Sequence, residues 1–320
     1  MSRRPGAVGG QVLSLHQHVA ALIAVFLALA TGIVLGAGPL GGAPGAGDTD
    51  RGELAGAEPT ESTGPSASEG GVDAAYVDAF ASAGATRLYA DGLRGHAAAV
   101  LVLPGADPTE VKALTAQVPA AGGALTGTYT LGADLLDPAA AEDADTSTSL
   151  LAAQLADPRL DASAGTWERA GQLVGLATAT GQQRSTRADD AAVTVRDALG
   201  SAGLLASPSD VRLAPVLLVV LPAGEQSSAE RAELEPVLTG LVDGLASVAS
   251  GVVVAGDSAS ARAGALGVVR AGRPSGAVST VDGTESALGR VSAVLAMIGV
   301  TEGVTGAFGE SGEDGAVPTP

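Results

Sequence analysis

Four carboxylates follow apolar runs in this chain: Asp107 after VLVLPGA, Glu225 after VLPAG, Asp257 after VVVAG and Asp282 after VSTV. If those runs are strands of an open parallel sheet, the acids stand beyond its carboxyl edge, where such sheets bind ligands. Converging carboxylates suit a hard metal cation or a polar ligand, or the acid–base chemistry of a hydrolase. A structural role competes. Asp107-Pro-Thr-Glu110 and Asp282-Gly-Thr-Glu285 each place Asp three residues before Glu, a pattern that satisfies the free N–H groups at a helix start.

Other chemistry is thinly supplied. There is no G-x-S-x-G and no Walker A sequence, and Lys112 is the single lysine. His96 is the one histidine beyond residue 18, so a Ser-His-Asp triad would depend on it; a lone histidine beside a strand is more often a packed or surface residue. The chain has no cysteine, which excludes disulfides, thiolate-ligated zinc and thiol catalysis. Met1 and Met297 are the only methionines, and Met297 is expected in the core. His16 and His18 sit two apart, on different sides of a helix, and without Cys or Met they make a poor Cu(I) site. No resident cofactor is expected.

The elements that must position these residues read as alternating strands and helices. VDAAYVDAFASAG predicts a short helix, Ala98–Leu103 a buried strand, Pro108–Val118 a helix and Leu125–Leu131 a strand. Residues 149–200 read as helices broken at Pro158, Gly165, Gly171 and Gly181. Pro215–Pro222 is another apolar strand, followed by a long helical stretch. Gly251–Asp257 and Ala277–Gly283 are further strands, and Ser286–Gly299 a closing helix with Leu288, Val291, Leu295 and Ile298 on its apolar face. Apolar strands alternating with helices predict an α/β, Rossmann-like parallel sheet covered on both faces. VLVLPGAD and LLVVLPAGE are similar enough to suggest two related halves.

Ahead of this body, residues 18–40 (HVAALIAVFLALATGIVLGAGPL) are uncharged and apolar on every helical face, long enough to cross a bilayer. The h-region is long for an export signal and no clear A-x-A site follows, so a permanent anchor is expected. Arg3 and Arg4 precede it and acids follow, which puts residues 1–17 in the cytoplasm and the body outside. Ala20, Ala24, Ala28, Gly32 and Gly36 recur every four residues, a stripe along which two anchors could pack into a homo-oligomer. Residues 41–72 lack any apolar period and read as a flexible linker, residues 73–305 as the extracytoplasmic domain and 306–320 as a disordered tail.

The 320 residues carry a net charge of −18, and everything beyond residue 47 carries −20. Such a body repels nucleic acid and anionic lipid headgroups, so no nucleic-acid partner is expected. Aromatics make up only 2% of the chain, so its core is built from Val, Leu and Ala.

SLHQHVAALIAVFLALATGIVLGAG resembles the opening of the mycobacterial copper transport protein B (MctB) family of actinobacterial envelope proteins. That opening is a Ser-Leu-x-x-His segment running into AVFLAL-x-x-G-x-x-LG. VLVLPGAD and VSTVDGTESALGRVSAVLAM resemble the family's first-strand and closing strand–helix motifs. The resemblance implies a non-enzymatic membrane-anchored envelope protein that helps limit intracellular copper, with copper as a transported ion, and it extends to the outer envelope. It carries over no copper-binding residue. A single span cannot enclose a polar path, and strands apolar on both faces do not make a transmembrane barrel. Three readings follow: a copper-homeostasis protein of the envelope, a scaffold or binding domain for other envelope proteins with no direct metal role, and an exported hydrolase using the strand-end acids.

Overall fold

The computed structural model describes residues 73–209 and 212–318. The expected cytoplasmic segment, membrane span and linker lie outside them, and with them Ala24, Ala28, Gly32 and Gly36. No helix among the described residues is long and apolar enough to cross a membrane.

Strands β1 (Ala97–Val102), β6 (Val216–Val220), β7 (Gly251–Ala255) and β8 (Val278–Val281) form the centre of a seven-stranded sheet. Around them stand β2 (Ala124–Leu131), β4 (Leu205–Ala206) and β9 (Ala307–Phe308), in the order β4-β2-β1-β6-β7-β8-β9. All neighbours are parallel except the β2–β4 edge pair. The runs AAAVLV, VLLVV, GVVVA and VSTV are buried over nearly their whole length, as expected of parallel strands covered on both faces. Successive side chains go to opposite layers. Leu101, Leu217, Val219 and Val254 join one core, and Val100, Leu218, Val220 and Val253 the other.

Helices cover both faces. Helices α1 (Ala74–Tyr89), α2 (Pro108–Ala120) and α9 (Ala287–Glu302) pack on the second core. On the other face lie α3 (Ala141–Leu155), α4 (Thr166–Thr178), α5 (Asp190–Ser201), α6 (Ser228–Val248) and α8 (Ala265–Gly272). A short α7 (Ser258–Ala263) follows β7, and a ribbon of β3 (Thr186–Arg187) with β5 (Arg212–Leu213) stands apart from the sheet. Caps set the starts: Asp107, Asp189, Asp257 and Ser286 accept first-turn N–H groups. Ser227 and Glu230 form a reciprocal capping box on α6.

Three expectations are corrected. Gly171 is no helix breaker; it lies inside α4, where α6 crosses so closely that a Cβ on Gly171 would lie 3.0 Å from Gly244 Cα. Residues 306–318 are not a loose tail. β9 pairs with β8 there, and Phe308 is buried. Of the apolar face read on the closing helix, Val291 is buried and Leu295 and Ile298 pack against the core, but Leu288 is 51% exposed. VLVLPGAD and LLVVLPAGE become β1 and β6, adjacent parallel strands of the one sheet.

Candidate functional site

The carboxyl edge of the parallel strands is where the expected acids stand, and each has a distinct set of partners. Asp107 caps α2: its Oδ1 accepts N–H groups of Thr109 at 2.6 Å and Glu110 at 3.2 Å. Those backbone donors hold its carboxyl below the usual range. Asp257 caps α7 by accepting from Ser260 N–H at 2.5 Å, and its other oxygen accepts from Gly224 N–H at 2.8 Å. It thereby ties the loop after β6 to the loop after β7. Glu225 is an exposed side chain 4.0 Å from an equally exposed Arg262.

Asp282 departs from the capping pattern. Ser286 caps α9, and Asp282 is 1% exposed beneath the C-terminal segment. It accepts Ser311 N–H at 3.0 Å and the Ser311 hydroxyl, with Arg270 Nη2 at 3.4 Å. Arg270 also donates to Phe308 O at 2.8 Å and Thr280 Oγ1 at 3.0 Å. Gly309 has a φ of +110°, and a Cβ there would lie 2.8 Å from Asp282 N; only glycine lets the segment pass so near. Among the described residues no group of three or more His, Cys, Asp or Glu is arranged to hold a metal ion.

A different set of side chains meets at this edge. Glu110 turns inward from α2 and accepts the Thr284 hydroxyl. Burial pushes its carboxyl above the ordinary value, the Thr284 bond opposes this, and the charges of Asp257, Glu285 and Asp107 add to the rise. The Ser258 hydroxyl lies 2.6 Å from Glu285 Oε1 and 2.5 Å from Glu310 Oε2. Ser258 thus links the start of α7 to the loop before α9 and to the C-terminal segment. The arrangement presents no base–nucleophile–orienter chain of the kind that acyl transfer needs. Glu110 sits in the Asp-Pro-Thr-Glu motif, whose pattern reads as a capping box, and Glu310 belongs to the segment expected to be a tail. Both escaped a reading from spacing alone.

The topological switch point lies between β1 and β6, since β1 leads to β2 on one side and β6 to β7 on the other. Open sheets hold their ligands there. Here the two Leu-Pro turns fill it themselves: Ala223 N–H donates to Gly105 O at 3.1 Å, and a Cβ on Gly105 would lie 3.1 Å from Pro222 Cβ. Beside it, an open cavity of ≈ 660 Å³ over β1 and β2 is lined by Pro104, Lys112, Thr115, Thr128 and Thr130 among others. A second cavity of ≈ 500 Å³ lies among α3, α4 and α5, with Leu135, Leu150, Leu151, Leu173, Leu199 and Leu204 in its wall. His96 precedes β1 at the amino edge of the sheet, beside Pro215, Ser250 and Thr301. It is at the opposite end of the strands from the acids, so it does not join them in a triad. Met297 is fully buried in the core.

No curated protein is significantly similar to the chain. A family model described as "Copper transport outer membrane protein, MctB" matches residues 12–319, which takes in every strand and helix described above. The chain belongs to the MctB family of copper-transport-related envelope proteins.

Proposed function

We propose that this protein helps limit intracellular copper as a non-enzymatic envelope component, held in the plasma membrane by residues 18–40 with residues 1–17 in the cytoplasm. The carrying observation is the family match across residues 12–319. The geometry of the body supports a role through protein contacts rather than turnover. Asp107 and Asp257 serve as helix caps, Asp282 is covered by the chain's own C-terminal segment, and Gly105 and Pro222 meet across the switch point. In this reading copper is cargo of an assembly in which the body takes part, and the anchors pack through Ala24, Ala28, Gly32 and Gly36.

The test is total cellular copper in a strain lacking the gene, complemented either with the full chain or with residues 73–320 exported behind a cleavable signal. Copper that rises in the deletion, and falls only with the anchored form, supports the proposal. Copper unchanged by the deletion overturns it and favours a scaffold for other envelope proteins. Rescue by the exported body alone removes the anchor from the mechanism.

A further inference from the structure

The outer face of α1 carries two of the chain's few aromatic side chains in solvent: Tyr76 is 65% and Phe80 70% exposed. The inner face of the same helix is accounted for by Ala81, Ala85 and Tyr89 in the core. Asp78 is also spoken for, since it accepts from Ala287 N–H and lies 3.8 Å from Arg290. Exposed aromatics in a chain so poor in them call for a partner.

The stripe itself specifies which one. Tyr76, Phe80, Gly84 and Arg87 follow one another along the helix at spacings of four, four and three residues, and Asp73, three before Tyr76, is its N-cap, with one carboxylate oxygen accepting Ala75 N–H at 2.9 Å. Read backwards about Phe80, the line is complementary to itself. Seven residues before Phe80 stands Asp73 and seven after it Arg87; four before stands Tyr76 and four after it Gly84. A Cβ on Gly84 would meet nothing within 4 Å, so space stands open beside it. Two antiparallel copies of α1 related by a two-fold axis at Phe80 would stack Phe80 on Phe80. Each tyrosine would then lie over the other copy's glycine, with an Asp73–Arg87 ion pair at both ends. Isologous interfaces have this self-complementary form. A body of net charge −20 opposes close approach of a second copy; on this stripe its single acid faces an arginine.

We propose that α1 is a homodimer interface, formed by antiparallel packing of two α1 helices about Phe80. This is independent of the copper reading and of the anchor stripe. The chain has no cysteine, so single cysteines report the geometry in the full-length protein in membranes under mild oxidation. Substitutions at these exposed positions remove no core contact. Phe80→Cys is expected to form a disulfide dimer by itself. Tyr76→Cys and Gly84→Cys are each expected to stay monomeric alone and to cross-link when the two variants are co-expressed. Self-cross-linking at all three positions means parallel helices and overturns the proposal. Absence of cross-linking at Phe80→Cys also overturns it, leaving α1 as a surface for some other protein.

Discussion

Replacing Asp282 with Asn separates a structural carboxylate from a functional one. The substitution keeps the volume and removes the charge. Asp282 is 1% exposed and receives the Ser311 N–H, the Ser311 hydroxyl and Arg270. An amide has one acceptor oxygen, so in either orientation its NH2 group faces a donor, Arg270 on one side or Ser311 on the other. A hydrogen bond to a charged group contributes about 1.5–3 kcal/mol, and leaving a donor unsatisfied adds to the loss. Arg270 keeps Thr280 Oγ1 and Phe308 O, so it is not stranded, and the expected cost is about 3 kcal/mol. For a domain of this size that lowers the melting temperature by roughly 6–12 °C. The local signature is loss of the C-terminal strap. A Glu-specific protease should cut at Glu310 and Glu313 in Asp282→Asn well before it cuts the parent chain. Equilibrium urea unfolding gives the first number and timed proteolysis the second. A variant within about 0.5 kcal/mol of the parent and equally protease-resistant refutes the strap argument. A variant that keeps its stability but fails to restore copper levels makes Asp282 a functional residue instead.

Three further outcomes follow from the same structure. Gly244→Ala would put a methyl 2.7 Å from Gln172 N and 2.8 Å from Gly171 Cα, and closer still to the Glu168 carbonyl; overpacking at this α4–α6 crossing should cost about 2–4 kcal/mol despite alanine's better helix propensity. Gly200→Ala, whose nearest neighbour is Leu205 O at 3.7 Å, should be neutral or slightly stabilising; equal urea midpoints for the two variants would sink the crossing argument. Glu110 has its carboxyl pushed above its ordinary value by burial, so its stabilising contribution is complete below the unfolded value and is lost as pH rises through the folded one. Glu110→Gln cannot ionise and keeps an acceptor for Thr284, so its gain in melting temperature over the parent should widen from pH 4 to pH 8; a gain that is flat or largest in acid contradicts the burial effect. Leu218→Ala, at the centre of the sheet and fully buried, should cost about 2–5 kcal/mol in urea unfolding, and a loss below 1 kcal/mol would contradict that burial.

The sheet was legible from the chain because its strands are short apolar runs closed by turn residues. AAAVLV, VLLVV, GVVVA and VSTV need no tertiary information to be recognised as strands buried on both faces. Asp107 could likewise be read as a helix start, since capping depends on neighbours within four residues. The apolar stretch before the body and the motifs at both ends of the chain were enough for the family, which the match over residues 12–319 bears out. Other features are absent from any local pattern. Gly171 reads as a breaker until α6 is brought across it, because a missing Cβ means close approach only when something approaches. Asp282 repeats the spelling of Asp107, yet its partners Ser311 and Arg270 come from distant segments and draw it under the strap. Glu110, Ser258, Thr284, Glu285 and Glu310 meet only because β1, β7, β8 and the C-terminal segment end at one edge. Sequence thus determined which segments must be buried and where helices begin, since hydrophobic periodicity and capping are local. Which carboxylates meet, which are covered, and which face of α1 is left bare were decided by topology, because each depends on what another part of the chain brings alongside.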